Sequence, residues 1–325
     1  MKKGQRPRLN ARKLGMKGRK VKNKKVAKKA SAKKAVAKKP RVRKLAPAEI
    51  SAFRDAVYGH YREFKRDLPW RHTRDPYQIL VSEMMLQQTQ VSRVVSKFVE
   101  FVGRFPTARA LASAPLGEVL ETWAGLGYNR RAKMLWEAAK ALVEKHSGIL
   151  PSTYEGLRSL PGIGDYTASA ILAFAFGTGR PLIETNVRAV IIRHFFPRKK
   201  DVSEHEILSL TDQTLDRENP RDWYAAFMDY GAHLKANEGN HARRSAHHGK
   251  VKKTAFAGSM RQVRGEVLKE ILAKKGRANA AAVARSVAAR VGVEAALAKA
   301  ALAGLVRDGL IERHGTLLRP AGNQV

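Results

Sequence analysis

Between Leu157 and Phe176 the chain reads LRSLPGIGDYTASAILAFAF, and this stretch restricts the architecture more than any other. A helical segment ends at Leu160, Pro161-Gly162-Ile163-Gly164 forces a tight turn, and a second helix starts near Asp165 with small residues along one side. Gly162 and Gly164 can adopt φ > 0 and let a phosphate approach the backbone. The amides around Ile163 and Gly164, at a helix N-terminus, then form an anion site, with Ile163 pinning the turn to the core. Such a helix–hairpin–helix unit holds a sugar–phosphate backbone without reading bases.

Around that unit the periodicity is helical. Ile50, Phe53, Val57 and Tyr61 fall on one helix face, and 79–86 reads as a buried helix. Further helices are expected near 91–103, 116–124, 129–146, 153–159, 166–176, 186–195, 203–215 and 221–235, with almost no strand signal before residue 308. The expected fold class is therefore all-α, over a body at 46–236. Residues 237–260 read as a basic loop. Residues 261–320 read as a separate winged-helix-like unit: helices at 262–274, 279–290 and 294–308, then a hairpin across Leu310–Leu318.

Charge points to the partner. The chain carries 63 Lys+Arg against 28 Asp+Glu, a net +35, and residues 1–45 hold 21 of the basic side chains and no acidic ones. Val and Ala are the only apolar residues in the run KNKKVAKKASAKKAVAKK and bury little surface, so this tail is expected to be disordered when free and to tether the protein to a polyanion. Lys/Ala tails of this kind resemble those of linker-histone-like proteins; a solubilising extension is the alternative. Zero cysteine excludes disulfides and thiolate-held clusters. No apolar run reaches the length of a membrane span, and the basic N-terminus lacks the apolar stretch of a secretory signal. A cytoplasmic, nucleoid-associated monomer is expected, with no membrane partner.

Two carboxylates stand in apolar surroundings. Glu83 lies within ILVSEMMLQQTQ, where desolvation should raise its pKa and keep it protonated near neutrality, as a general acid requires. Glu184 lies within PLIETNVRAVI at a helix start, where the helix dipole with Thr185 or Asn186 should favour the ionised form. Opposed environments for two carboxyls suit glycosidic chemistry, although either could be an ordinary helix-end or salt-bridged glutamate.

Taken together, LPWR (68–71), DPYQILVSEMMLQQTQV (75–91), RFP (104–106), WAGLGYNRRAKML (123–135), LPGIGDYTASAI (160–171) and ETNVRAVIIR (184–193) resemble the helix–hairpin–helix (HhH-GPD) DNA glycosylase superfamily. SExMLQQT is the most specific match, and it points to the A/G-mismatch adenine glycosylases of MutY type. The resemblance implies a two-lobed helical fold and a monofunctional glycosylase of base-excision repair. Its substrate would be adenine opposite 8-oxoguanine or guanine in double-stranded DNA. By position, Glu83 would protonate the adenine, and Glu184 would stabilise the sugar cation and place water. Asn186 would orient Glu184. Tyr166 stands where lyase members carry Lys, so no Schiff base can form. Arg66 and Arg71 would lie near the flipped base and its phosphate. Gln87, Gln88 and Tyr128 would wedge into the stack and contact the opposite base.

Three departures accompany the resemblance. Glu184 replaces the family's Asp, moving the carboxylate by about one C–C bond, a displacement that can cost about 10²-fold in rate. The segment YGAHLKANEGNHARRSAHHGK (230–250) carries none of the family's four cluster cysteines, so no cofactor is expected. His241, His247 and His248 there raise zinc as a minor alternative to a DNA-facing loop. The family's usual Nudix-like C-terminal domain is not expected from residues 261–320, which read as a winged-helix-like unit, either a second DNA contact or an interaction module. Two further functions stay open: a thymine or uracil mismatch glycosylase on the same scaffold, and a non-catalytic nucleoid-binding protein.

Overall fold

A computed structural model describes residues 42–247, 255–274 and 278–322. The basic tail expected over 1–45 lies, up to residue 41, outside the described residues. The helices are α1 (Pro47–Phe64), α2 (Pro76–Leu86), α3 (Val91–Arg104), α4 (Ala108–Ser113), α5 (Leu116–Thr122), α6 (Arg130–His146), α7 (Tyr154–Arg158), α8 (Asp165–Phe176), α9 (Thr185–Phe195), α10 (Glu204–Thr214) and α11 (Pro220–Asn237). The C-terminal unit follows as α12 (Met260–Ala273), β1 (Ala278–Asn279), α13 (Ala280–Val291), α14 (Ala295–Arg307), β2 (Ile311–His314) and β3 (Leu317–Pro320).

Local signals set many of these boundaries. Asp75 caps α2 by accepting from the Tyr77 amide, with Pro76 at the first helical position. Ser203 and Glu206 close a reciprocal capping box on α10. Two elements are not in the sequence reading. Helix α4 is only six residues and shows one apolar turn, Ala108 and Leu111. Strand β1 is two residues long and exists because Ala278 and Asn279 pair with Leu318 and Leu317.

The helical body has two lobes. One core holds Leu80, Met84, Phe101, Trp123, Leu135 and Leu142, drawn from α2 to α6. The other holds Phe53, Val57, Val190, Ile191, Trp223 and Phe227, drawn from α1, α9 and α11. Each large side chain buried in these cores contributes about 1.5–3 kcal/mol. Helix α8 joins the lobes: Ala168, Ile171 and Leu172 pack into the first core, Ala170 and Ala173 into the second. Small side chains let α8 sit between both, which is the structural use of TASAILAFA.

The C-terminal unit has three helices and an antiparallel sheet of order β1-β3-β2, the order of elements expected for a winged helix plus one short strand. It is less independent than the sequence suggests. Val263, Val267 and Ile271 of α12 belong to the same continuous core as α2–α8.

Candidate active site

Helix α2 is apolar on every side, and Tyr77 and all of Ile79–Met85 are buried. Glu83 therefore has no solvated face and is 5 % exposed. Burial pushes its carboxyl up to about 7. The nearby Tyr166 hydroxyl opposes that rise, and the charge of Glu184 adds to it. Tyr166 sits in the first turn of α8, and burial with two adjacent carboxylates holds its phenol protonated well above the usual range. It thus stays a neutral hydroxyl beside Glu83.

Glu184 is the N-cap of α9. Its carboxylate accepts from the Val187 amide at 2.8 Å and from the Asn186 amide, with the Asn186 side-chain amide at 3.4 Å. These donors and Arg188 favour the anion, as the helix-start position implies. Desolvation at the lobe junction works against these donors and leaves the pKa raised from the ordinary carboxylate value. Glu83 has no such backbone donors, so Glu184 ionises first. Its charge then makes loss of the Glu83 proton harder. Two carboxyls and a tyrosine from three helices, spanning both lobes, meet in one electrostatically coupled group.

Asn186 is held from behind. A Cβ on Gly231 of α11 would lie 2.4 Å from Asn186 Cβ and 2.7 Å from its Cα, so only glycine lets α11 pass this close to the start of α9. Met228 Sδ lies 3.8 Å from the Asn186 side-chain amide. One residue on, buried Asp229 receives both expected pocket arginines. Arg71 donates two bonds of 2.7 Å and Arg66 donates from its Nε at 2.5 Å and its backbone amide at 3.1 Å. The two arginines expected near the base and its phosphate are thus both tied to Asp229. Both guanidiniums pair with the single Asp229, whose carboxyl they hold below the usual range against burial. Arg66 also donates to the Met228 carbonyl, so the cluster buttresses the wall behind Asn186.

The hairpin glycines divide their roles. Gly162 has φ +75°, and a Cβ there would meet Met134 Cβ at 2.6 Å; it is required by both turn and packing. Gly164 has φ −87°, so the expectation of a left-handed Gly164 is corrected; its missing side chain faces open space. Ile163 is 3 % exposed, anchoring the turn as expected.

Gln87, Gln88 and Tyr128 lie together on the rim of a cleft of about 700 Å³, with Met84 and Gly162 also in its wall. Gln88 and Tyr128 both take left-handed backbone conformations, φ 57° and 49°, and both are exposed. Gln87 donates to Thr167 Oγ1 at 3.2 Å. Arg131, absent from the sequence reading, organises this rim. Its guanidinium donates to the carbonyls of Met84, Met85 and Gln87 at 2.6–2.8 Å, closing the C-terminus of α2, and lies 5.4 Å from the Tyr128 ring.

The residues that follow α11 do not fit a thiolate-held cluster. The chain has no cysteine, and the space is closed by protein. Ala242 is fully buried, Ser245 pairs with Val202 in an isolated bridge, and Arg188 donates to both Glu204 and Ser245 Oγ. The segment through Ser245 is therefore anchored rather than a free loop. His241 faces Glu238 and Arg244, each at 3.3 Å; His247 is exposed, and His248 lies outside the described residues.

Residues 81–213 match the model of the HhH-GPD superfamily of base excision DNA repair proteins. The chain is 40 % identical over 198 residues to an adenine DNA glycosylase of Homo sapiens, covering 57 % of this chain and 36 % of that one. It is 40 % identical over 179 residues to an adenine DNA glycosylase of Mycobacterium tuberculosis (strain ATCC 25618 / H37Rv), covering 53 % and 58 %. The chain thus spans between about a third and three fifths of the length of these curated relatives. Among solved structures, a thermostable thymine-DNA glycosylase superposes with a TM-score of 0.53 at 23 % identity, over 63 % of this chain and 98 % of that one. A trapped endonuclease III–DNA covalent intermediate does so with 0.51 at 20 %, over 58 % and 88 %. The fold is shared with both.

Proposed function

We propose that this chain, which carries an HhH-GPD domain at 81–213 and has adenine DNA glycosylases as homologues, is a monofunctional adenine DNA glycosylase. Its substrate is adenine mispaired with guanine or 8-oxoguanine in double-stranded DNA. One observation carries the reading: Glu83 and Glu184, from different lobes, form one coupled group with Tyr166, and burial gives Glu83 a pKa of about 7.

The chemistry follows from those environments. The target nucleotide leaves the stack, at a few kcal/mol, because its glycosidic bond is inaccessible in the duplex. Glu83, protonated, gives its proton to the adenine ring at N7. The C1′–N9 bond breaks, its electron pair leaves with the neutral base, and positive charge remains on the sugar. The Glu184 carboxylate lies against that cation, accepts a proton from water, and the resulting oxygen nucleophile adds to C1′. Adenine and an abasic site result. Tyr166 supplies no amine, so no covalent sugar–enzyme Schiff base forms and the strand stays intact. The hairpin at 161–164 and the basic surface hold the phosphate backbone.

The test is base release from duplexes carrying A·8-oxoG, A·G, T·G and U·G pairs. Adenine release opposite both purines, with an alkali-sensitive but uncut strand, is expected. No adenine release from either purine mismatch would overturn the proposal.

A further inference from the structure

The cleft lined by Met84, the neighbour of Glu83 on α2, has two walls from different parts of the chain. One is the rim of the helical body, with Gln87, Gln88 and Tyr128; the other is α12 of the C-terminal unit, with Arg261 and Arg264. Arg264 is neutralised by Asp308 at 2.5 Å. Arg261 is exposed and pairs with no carboxylate among the described residues. Its guanidinium is placed instead by aromatic groups: it donates to the Tyr128 hydroxyl at 2.9 Å and lies 5.7 Å and 5.1 Å from the Tyr128 and Phe256 rings. The stacked, charged and carboxylate-free guanidinium retains donors for an outside acceptor.

The position of the cleft identifies that acceptor. Glu83 and Gln87 are four residues apart on and just past α2, about 6 Å along the helix axis. If a nucleotide is extruded to Glu83, the base left behind in the stack is the nearest nucleobase to the Gln87 rim. The cleft, about 700 Å³ and lined by an exposed tyrosine, has room for that base. An arginine fork fits the paired acceptors O6 and N7 of guanine and has no match on the amino edge of cytosine.

We propose that Arg261 is a specificity-determining residue that reads the orphaned base, so that the C-terminal unit and the helical body together select a guanine-type partner. This rests on the glycosylase reading above but is tested separately from it. The full chain is titrated with duplexes carrying 2′-fluoro-2′-deoxyadenosine, which resists cleavage, opposite guanine, cytosine or an abasic tetrahydrofuran. Adenine release from cleavable A·G is measured in parallel.

The wild type is expected to bind the guanine duplex at least 10-fold tighter than the other two. Arg261→Ala is expected to lose about 10- to 100-fold toward guanine and less than threefold toward the abasic duplex. Arg261→Lys keeps the charge without the fork and should restore affinity for the abasic duplex but not the guanine preference. Equal losses on all three duplexes, no loss on any, a guanine preference restored by lysine, or no preference in the wild type would each overturn the assignment. Failure of the wild type to release adenine overturns the glycosylase reading. Adenine release with preference intact in Arg261→Ala overturns only the role of Arg261.

Discussion

Replacing Glu83 with Gln should abolish base release and stabilise the protein, and the stability gain should depend on pH. Buried Glu83 titrates at about 7 against 4.5 for the exposed side chain. Between those values the folded protein holds a proton that the unfolded chain has released. Stability is therefore lost as pH rises through that window. At 1.36 kcal/mol for each factor of ten, the ionised carboxylate costs about 3 kcal/mol once pH exceeds 8 and almost nothing near pH 4.5. Gln cannot ionise and has nearly the same size and shape as the protonated acid, so Glu83→Gln should match the wild type near pH 4.5. By pH 8.5 it should exceed it by about 3 kcal/mol, or about 6–12 °C in Tm for a body of this size. Thermal and urea unfolding of both proteins at pH 5 and 8.5 measures this. A difference that stays the same at both values would refute the desolvation argument, whatever its sign.

Gly231→Ala should push the start of α9 away from α11 and displace Glu184, lowering single-turnover base release by about 10²-fold while overall helicity stays unchanged; circular dichroism with a release assay checks it, and wild-type rates would contradict it. Arg188→Ala removes the donor shared by Glu204 and Ser245 and should destabilise the protein by about 2–3 kcal/mol in urea unfolding, because Ser245 and the backbone around it are buried. Deleting residues 1–45 removes 21 basic side chains; binding to undamaged DNA should weaken and its salt dependence flatten, while single-turnover release at low salt survives. A salt slope equal to that of the full chain would show that the tail makes no phosphate contacts.

What the sequence made legible were features with local causes. Glu83 stands out because a carboxylate within ILVSEMML has no wet helix face, and the hairpin because PGIG between two helical stretches forces a turn. Features set by remote partners were not legible. Nothing around Arg66 and Arg71 in the chain shows that both pair with Asp229, on α11. The signal was present: AAFMDYG carries an acid flanked by apolar residues, the same pattern that marked Glu83. For Glu184 the local donors are visible in the sequence, whereas the burial that opposes them comes from the other lobe and is not. Likewise Gly162 and Gly164 look equivalent in PGIG, yet only Gly162 meets Met134. The junction of Tyr128 with Arg261 joins positions 133 residues apart and leaves no trace in either neighbourhood.

The central claim is that one buried acid and one helix-capping carboxylate divide the work of breaking a purine glycosidic bond. Single-turnover adenine release from an A·G duplex, followed from pH 5 to 9, reads that division directly. The rate should fall as pH rises through about 7, where Glu83 loses its proton, and fall again on the acid side as Glu184 gains one. Glu83→Gln should remain at background throughout. A rate unchanged between pH 7 and 9, or a Glu83→Gln protein that releases adenine, would contradict the account.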